Sequence, residues 1–423
     1  MRRPTIWPRA GLWRHRDFLR LWTAQAVSLC GTQVTALALP TVAILALHAT
    51  PVEVGALSAT QWLGYLVVGL VAGVVADRLP RRRIMVVADL ARLLALGSVP
   101  VAFALGLRSL AHLYAVAAVT SVGTVFFDVA YQSYLPGLVE RGRLVEGNAK
   151  LALADGAARV GGPALGGVLI QLVGGATAIA ADTASYLASV LCLASIRTPE
   201  PRASARAGDA GGGTRVLVEM REGVVAVARQ PIVRTLAIVS TLQNFGGAIA
   251  EAVALLFAYR TLRLTPGLVG AALAFGSVGF ALGALAVTPA NRALGVGRTL
   301  GLSSLLGGCS YLLIPLGLLG APALAVAAWR LVFGLSLPTW NVNALSLRQA
   351  VVPAHLQGRV NATLRTVGFG ALAIGPLVGG TLGDRIGFVP TILAGGLVYL
   401  VGSLPLLAPA VIALTEQPAT VAA

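Results

Sequence analysis

Runs of about 20 apolar residues recur along the whole chain, each closed by a short polar segment. A run of that length crosses the hydrocarbon core of a bilayer as a helix. Twelve such runs are legible, at roughly 18–47, 52–75, 84–105, 110–134, 151–173, 176–196, 235–258, 267–289, 299–319, 323–345, 364–382 and 389–411. The pattern predicts an all-α integral membrane protein with twelve transmembrane helices. The first run is long enough to tilt or kink near Pro40. Gly and Pro interrupt several others, which membrane helices tolerate better than soluble ones.

The polar segments give these helices a direction. The run 52–75 stops at Asp77, and Arg78, Pro80, Arg81, Arg82 and Arg83 form a tight basic turn before the next run starts at Ile84. A basic turn between two spans stays on the cytoplasmic side. With the N-terminus on that side, the cytoplasmic segments carry Arg2, Arg3, Arg9, Arg14 and Arg16, then Arg141, Arg143 and Lys150, the group from Arg197 to Arg234, and Arg292, Arg298, Arg348, Arg359 and Arg365. The opposite loops carry only Arg108, Arg260, Arg263 and Arg385. This predicts a multi-pass protein of a cell membrane with both termini cytoplasmic. The first run has no small-residue cleavage site at a suitable place, so it reads as a retained helix. High Ala, Gly and Arg with little Lys point to a high-GC bacterium, and hence to a bacterial cytoplasmic membrane.

Composition agrees and excludes other classes. The 423 residues are 57% hydrophobic and 11% charged, with a mean hydropathy of +0.82, whereas a soluble domain carries roughly 25% charged residues. A net charge of +16 would suggest nucleic acid in a soluble protein. Here the charges sit in short loops, so they report topology and no nucleic-acid partner is expected. Cys30, Cys192 and Cys309 lie inside apolar runs, and the four histidines lie near span ends or in loops, so no metal site is expected. No Walker sequence and no catalytic triad is legible, which predicts a non-enzyme with no cofactor and no direct use of ATP.

The chain divides at its middle. Pro199-Glu200-Pro201 and Gly211-Gly212-Gly213 mark a linker, and Arg215 to Arg229 reads as an amphipathic helix lying along the inner membrane surface. The expected units are a six-helix bundle over 1–197, a cytoplasmic linker over 198–230 and a second six-helix bundle over 231–423. The halves are related: Gly162-Pro163-Ala164-Leu165-Gly166-Gly167 recurs as Gly375-Pro376-Leu377-Val378-Gly379-Gly380, and Asn148-Ala149 recurs as Asn361-Ala362. Internal repeats of this kind build transporter folds. Gly162, Pro163, Gly375 and Pro376 are therefore expected at helix contacts. The rows Gly69-x-x-x-Gly73 and Gly279-x-x-x-Gly283 are expected to let helices pack closely and slide.

The basic turn resembles motif A of the major facilitator superfamily, Gly-x-x-x-Asp-Arg-x-Gly-Arg-Arg. Gly73, Asp77, Arg78, Arg81 and Arg82 match it, while Pro80 stands where the family has Gly. With Phe127-Asp128, Leu135-Pro136, the stretch from Arg143 to Ala149, the Gly-Pro-x-x-Gly-Gly sequences and the turn from Gly358 to Ala362, the chain resembles the twelve-span drug:proton antiporter branch, close to macrolide-efflux and enterobactin-exporter proteins. It departs from that branch at Gly31-Thr32 and at Ala158. The resemblance implies two pseudo-symmetric six-helix bundles and alternating access. It also implies a central cavity lined by spans 1, 4, 7 and 10, and an inner lock in which Asp77 meets the N-terminus of span 11.

Ionisable groups within spans are functional suspects. Asp89 with Arg92, and Asp155 with Arg159, have the spacing of self-satisfied pairs on one helix face. Glu251 and Arg330 each lie about seven residues inside the outer end of their spans, roughly 10 Å deep. They are expected to face each other, either as a pair that exchanges a proton for substrate or as a fixed bridge. Asp128 is a second proton-coupling candidate, with a bond to Arg159 or to the span-5 backbone as the structural alternative. Asp182 is expected to be structural. Gln25, Thr32, Gln33, Gln243, Asn244, Trp340, Asn341 and Asn343 are candidate cavity contacts or, equally, bonds between helices.

The expected function is proton-driven efflux of a small, partly apolar molecule such as an antibiotic, a siderophore or another secondary metabolite. The expected partners are that substrate, protons and the bilayer, with the protein a monomer. A proton-coupled importer or uniporter stands as the alternative. A lipid scramblase or a transport-dead receptor stands further off.

Overall fold

The structure is a computed structural model that describes residues 11–198, 200, 212–353 and 355–414. The expected docking of the Asp77 side chain and the arginines of the first ten residues lie outside the described residues. No strand occurs among the described residues. The helices in the first half are α1 (Arg16–Thr41), α2 (Pro51–Arg78), α3 (Arg81–Ala104), α4 (Leu110–Leu138), α5 (Leu144–Val173) and α6 (Gly175–Ala194). After the linker helix α7 (Gly212–Arg229) come α8 (Pro231–Leu256), α9 (Pro266–Leu294), α10 (Val296–Ser310), α11 (Pro322–Val351), α12 (Gln357–Ile386), α13 (Phe388–Ser403) and the short α14 (Pro409–Ile412).

Eleven of these helices, counted among the described residues and with their flanking turns, are long and apolar enough to cross a membrane. The second expected span is α2, a 28-residue helix with no charged residue between Glu53 and Asp77. Several helices outrun their apolar runs. α5 begins at Leu144, α11 ends at Val351 and α12 begins at Gln357. Arg348, Arg359 and Arg365, counted with the cytoplasmic segments, therefore lie within helices. The ninth span is α-helical only to Ser310 and continues in 3-10 turns through Pro315–Leu319. The last ends in a 3-10 turn at Leu404–Leu407, because Pro405 and Pro409 cannot continue an α-helix.

The repeat is visible in the backbone. α1 and α8 both end in π-helical turns, at Val42–Ala46 and Phe257–Thr261. Both are followed by a left-handed residue, His48 at φ 51° and Arg263 at φ 53°. Thr50 and Thr265 then cap α2 and α9 through their side chains, each just before a proline. Gly174 and Gly387 make the α5–α6 and α12–α13 turns at φ 83° and 86°, where a Cβ would be strained.

In the first bundle α1 packs on α5 and α6, α3 on α4 and α6, and α2 on α4. In the second, α8 packs on α12 and α13, α9 on α11, and α10 on α11 and α13. The bundles meet through α2 with α12 and α5 with α9. At the end carrying the α1–α2 loop they share one apolar core, in which Leu37, Val54 and Ile170 join Val253, Phe257 and Trp329. At the end carrying the α2–α3 loop the cores are separate, one around Phe18, Met85 and Leu138, the others around Val239, Leu347 and Val360. The bundles are thus joined at the first end and splayed at the second.

Candidate functional site

The splayed bundles enclose a central cavity. Its inner chamber, about 320 Å3, is walled by Gln33 and Pro40 of α1, Gln61 and Trp62 of α2, Pro163 of α5, Glu251 of α8, Arg330 of α11 and Pro376 of α12. A second chamber of about 720 Å3 is walled by Gln243, Asn244, Trp340, Asn341, Arg348, Arg365 and Phe369, among others. Trp62, Ala248, Glu251 and Leu372 line both chambers and join them.

The closed end is built from small residues. Gly55 of α2 packs against the Pro376 carbonyl and Gly380, and Gly270 of α9 packs against the Pro163 carbonyl and Gly167. Gly162 packs on Gln33, and Gly375 on Ala248 and the Phe245 carbonyl. All four glycine and proline positions expected at helix contacts therefore lie at them. The Arg260 guanidinium also donates to the Ala49 carbonyl at 2.7 Å, and the Thr41 and Tyr259 hydroxyls meet at 2.9 Å across the bundles.

Glu251 and Arg330 face each other with 3.1 Å between Oε1 and Nη1, and their side chains are 43% and 27% exposed, toward the cavity. Arg330 also lies over the Trp329 ring, 4.6 Å from its centroid. Asp128 meets neither of its expected partners. Its carboxylate accepts from the Tyr65 hydroxyl of α2 at 2.7 Å, and Arg159 pairs with Asp155 at 2.8 Å. A tyrosine aligned across helices has no signature in spacing, which is why that bond was missed.

The uncharged candidates separate. Gln33, Gln243, Asn244, Trp340 and Asn341 line the cavity, although Gln243 also donates to Ser403 at 3.0 Å. Gln25, Thr32 and Asn343 do not line it. Asn343 is fully buried and exchanges two amide hydrogen bonds with Asn291 of α9, and Thr32 bonds the Tyr186 hydroxyl of α6 at 3.0 Å. Asn343 faces α9, whereas Thr32 reaches α6 and is still exposed. Sequence reasoning missed Trp62, Phe369, Arg348 and Arg365. The last two were counted as topology charges, although the spacings 341, 344, 345, 348 and 365, 368, 369, 372 each mark one helix face.

Away from the cavity, Asp89 and Arg92 form a fully buried pair. The Ser189 hydroxyl donates to Asp89 at 2.6 Å, and the Phe127 and Tyr186 rings cover Arg92. Asp182 is buried and accepts from the Ser185 hydroxyl at 2.9 Å. In the α2–α3 turn the Arg81 and Arg82 amides donate to the Glu200 carboxylate at 2.7 and 3.4 Å, the Arg82 guanidinium donates to the Ile196 carbonyl, and Arg78 is exposed.

Gly279 and Gly283 pack on the α11 backbone at Leu331 and Leu335 as expected, but no atom lies within 4 Å of where a side chain would start at Gly69 or Gly73. This corrects the close packing expected there. α2 has diverged from α12 where the bundles splay. The linker helix packs against the second bundle. Gly223 packs on the Arg359 carbonyl and Thr363 of α12, and Glu222 pairs with Arg359. No group of three potential metal ligands occurs among the described residues.

A helical bundle with an internal repeat, a central cavity and one closed end is the architecture of a carrier. The chain is 28% identical over 377 residues to the multidrug efflux pump Tap of Mycolicibacterium fortuitum, covering 86% of this chain and 88% of that protein. It is 24% identical over 398 residues to the uncharacterized MFS-type transporter YfiS of Bacillus subtilis (strain 168), covering 93% of each. Its fold is similar to the inward-facing crystal structure of a bacterial homologue of the iron transporter ferroportin, with a TM-score of 0.75 at 17% identity over 93% of this chain and 98% of that one. It is also similar to the nucleoside transporter NupG, with a TM-score of 0.67 at 12% identity over 93% and 98%. The profile of the transmembrane secretion effector family matches residues 10–420, and the chain belongs to that family of major facilitator membrane transporters.

Proposed function

We propose that this transporter exports a small, partly apolar molecule across the bacterial cytoplasmic membrane in exchange for protons, by alternating access. The observation that carries the proposal is Glu251, an exposed carboxylate that lines both chambers and is held by Arg330 on a facing helix. The similarity to a multidrug efflux pump supports the export direction. The basic α2–α3 turn supports an orientation in which the splayed end faces the cytoplasm.

In that orientation substrate enters between the bundles from the cytoplasm. Closure around it would bring α2 onto α12 at Gly69 and Gly73, whose open faces leave room for the approach. Asp77 would then reach the positive N-terminal end of α12. The closed end would open by parting the Gly55 and Gly270 contacts. A proton arriving from outside neutralises Glu251 and frees Arg330, and a ligand that binds one state better than the other shifts the equilibrium between them.

Accumulation of a panel of antibiotics, dyes and siderophores in cells making the protein, with and without a protonophore, tests this reading. Reduced accumulation that the protonophore abolishes is expected. Raised accumulation would identify an importer.

A further inference from the structure

We infer that the cavity selects an amphipathic anion: a small molecule with a flat apolar body and a carboxylate. The inference rests on the transporter reading of the cavity and deepens it by assigning the substrate's charge.

The argument starts from the charges of the wall. Glu251 is the acid of the two chambers, and Arg159, Arg330, Arg348 and Arg365 are the bases. Arg330 is neutralised by Glu251 at 3.1 Å and Arg159 by Asp155 at 2.8 Å. Arg348 and Arg365 have no carboxylate within ion-pair distance among the described residues, and both line the larger chamber. Asp128 is engaged by the Tyr65 hydroxyl at 2.7 Å and acts on Arg365 through space, without an ion pair.

The positive-inside rule accounts for arginines in loops, but these two are elements of the wall. Arg365 stands eight residues into α12, about 12 Å along its axis. It shares a helix face with Gly368, Phe369 and Leu372, and Arg348 shares one with Trp340, Asn341 and Ala344. Arg348 is half-buried, where a charge acts more strongly than in water. A cavity with two guanidiniums outside any ion pair attracts anions and repels cations, and the guanidinium fork matches a carboxylate.

Beside the charges is an aromatic cluster of Trp62, Tyr65 and Phe369. Arg365 lies over the Phe369 ring, 5.5 Å from its centroid. Phe369 stacks on Trp62 at 5.9 Å with 25° between the planes. An aromatic body packed against that cluster brings an attached carboxylate within reach of the Arg365 guanidinium.

Naphthylacetate, its methyl ester and naphthylmethylammonium share one ring system and differ in charge. Their binding to the full chain in lipid nanodiscs, measured by titration calorimetry, tests the inference. Naphthylacetate should bind at least about tenfold more tightly than either of the others, which is about 1.4 kcal/mol. Added salt should weaken the anion alone. The Arg348→Gln/Arg365→Gln variant should bring the anion within about threefold of the ester, and the Arg348→Lys/Arg365→Lys variant should keep the preference.

Tighter binding of the ammonium probe, a preference that survives the double Gln variant, or no binding by any probe would overturn the inference. Flux in proteoliposomes separates it from the coupling reading. Gradient-driven flux that favours the cation would overturn the inference and leave proton-driven export standing. Anion-selective binding with no gradient-driven flux would uphold the inference and overturn the coupling.

Discussion

Tyr65 of α2 packs its ring against Phe369 of α12 with centroids 4.7 Å apart, so one tyrosine joins the two bundles through its ring and holds Asp128 through its hydroxyl. The two roles separate by substitution. Tyr65→Phe keeps the ring contact and leaves the half-buried Asp128 carboxylate with one donor fewer, a cost of about 1–3 kcal/mol. It should lower thermal stability and change the pH dependence of transport while leaving the distance between the bundles as it is. Tyr65→Ala should also loosen that contact, read as wider spacing between spin labels on α2 and α12. Equal effects of Phe and Ala on the spacing would contradict the assignment.

Removing the Glu251 charge should uncouple transport. The Glu251–Arg330 bond is charge-assisted, and such bonds are worth about 1.5–3 kcal/mol. Glu251→Gln should therefore lower gradient-driven export about 10- to 100-fold, and the residual flux should not respond to a protonophore. Arg330→Gln should retain a protonatable acid and so keep some protonophore sensitivity. The coupling role fails if Glu251→Gln exports at the normal rate with normal pH dependence.

The helical hairpins, the repeat and the paired charges were legible in the sequence because each obeys a short-range rule. Apolar length gave α1 to α6, and an i,i+3 or i,i+4 spacing gave Asp89 with Arg92 and Asp155 with Arg159. Glu251 and Arg330 were paired from matching depth on helices that the family resemblance placed around one cavity. The facing of single polar groups was not legible. Asn343 and Asn341 are two residues apart, yet one bonds Asn291 and the other lines the cavity. That difference depends on how α11 is rotated against α9, which apolar composition does not record. Arg348 and Arg365 were hidden for another reason. Near a helix end a topology charge and a cavity charge look alike until the helix bounds are known.

The buried Asp89–Arg92 pair is a stability element with a measurable signature. Both side chains are shielded from solvent, with Asp89 0% and Arg92 3% exposed. Removing one partner of such a pair costs about 3–5 kcal/mol because the other charge stays buried alone. Asp89→Asn should lower the midpoint of thermal unfolding in detergent, and the Asp89→Asn/Arg92→Leu double variant should recover part of the loss. The Phe127 and Tyr186 rings still cover Arg92 after the single change, which offsets some of the cost. A single variant as stable as the parent would mean that those rings suffice.

The two glycine contacts at the closed end predict how the conformational equilibrium can be moved. Gly55 meets the Pro376 carbonyl and Gly270 meets the Pro163 carbonyl, so the same contact is made twice by the repeat. A valine at either position would press on backbone, which cannot turn aside as a side chain can. Overpacking of this kind costs about 1–3 kcal/mol, and 1.4 kcal/mol already shifts a two-state population about tenfold. Gly55→Val and Gly270→Val should each favour a state open at the α1–α2 end. Nitroxides at Arg108, in the α3–α4 loop, and at Leu319, where the ninth span ends, should then move apart. Gly69→Val provides the opposite test. Its side chain meets nothing in the present arrangement, so it should leave this state intact and hinder closure of α2 onto α12, keeping the same labels close when substrate is added. If Gly55→Val and Gly69→Val shift the labels in the same direction, the two ends of α2 do not close in alternation.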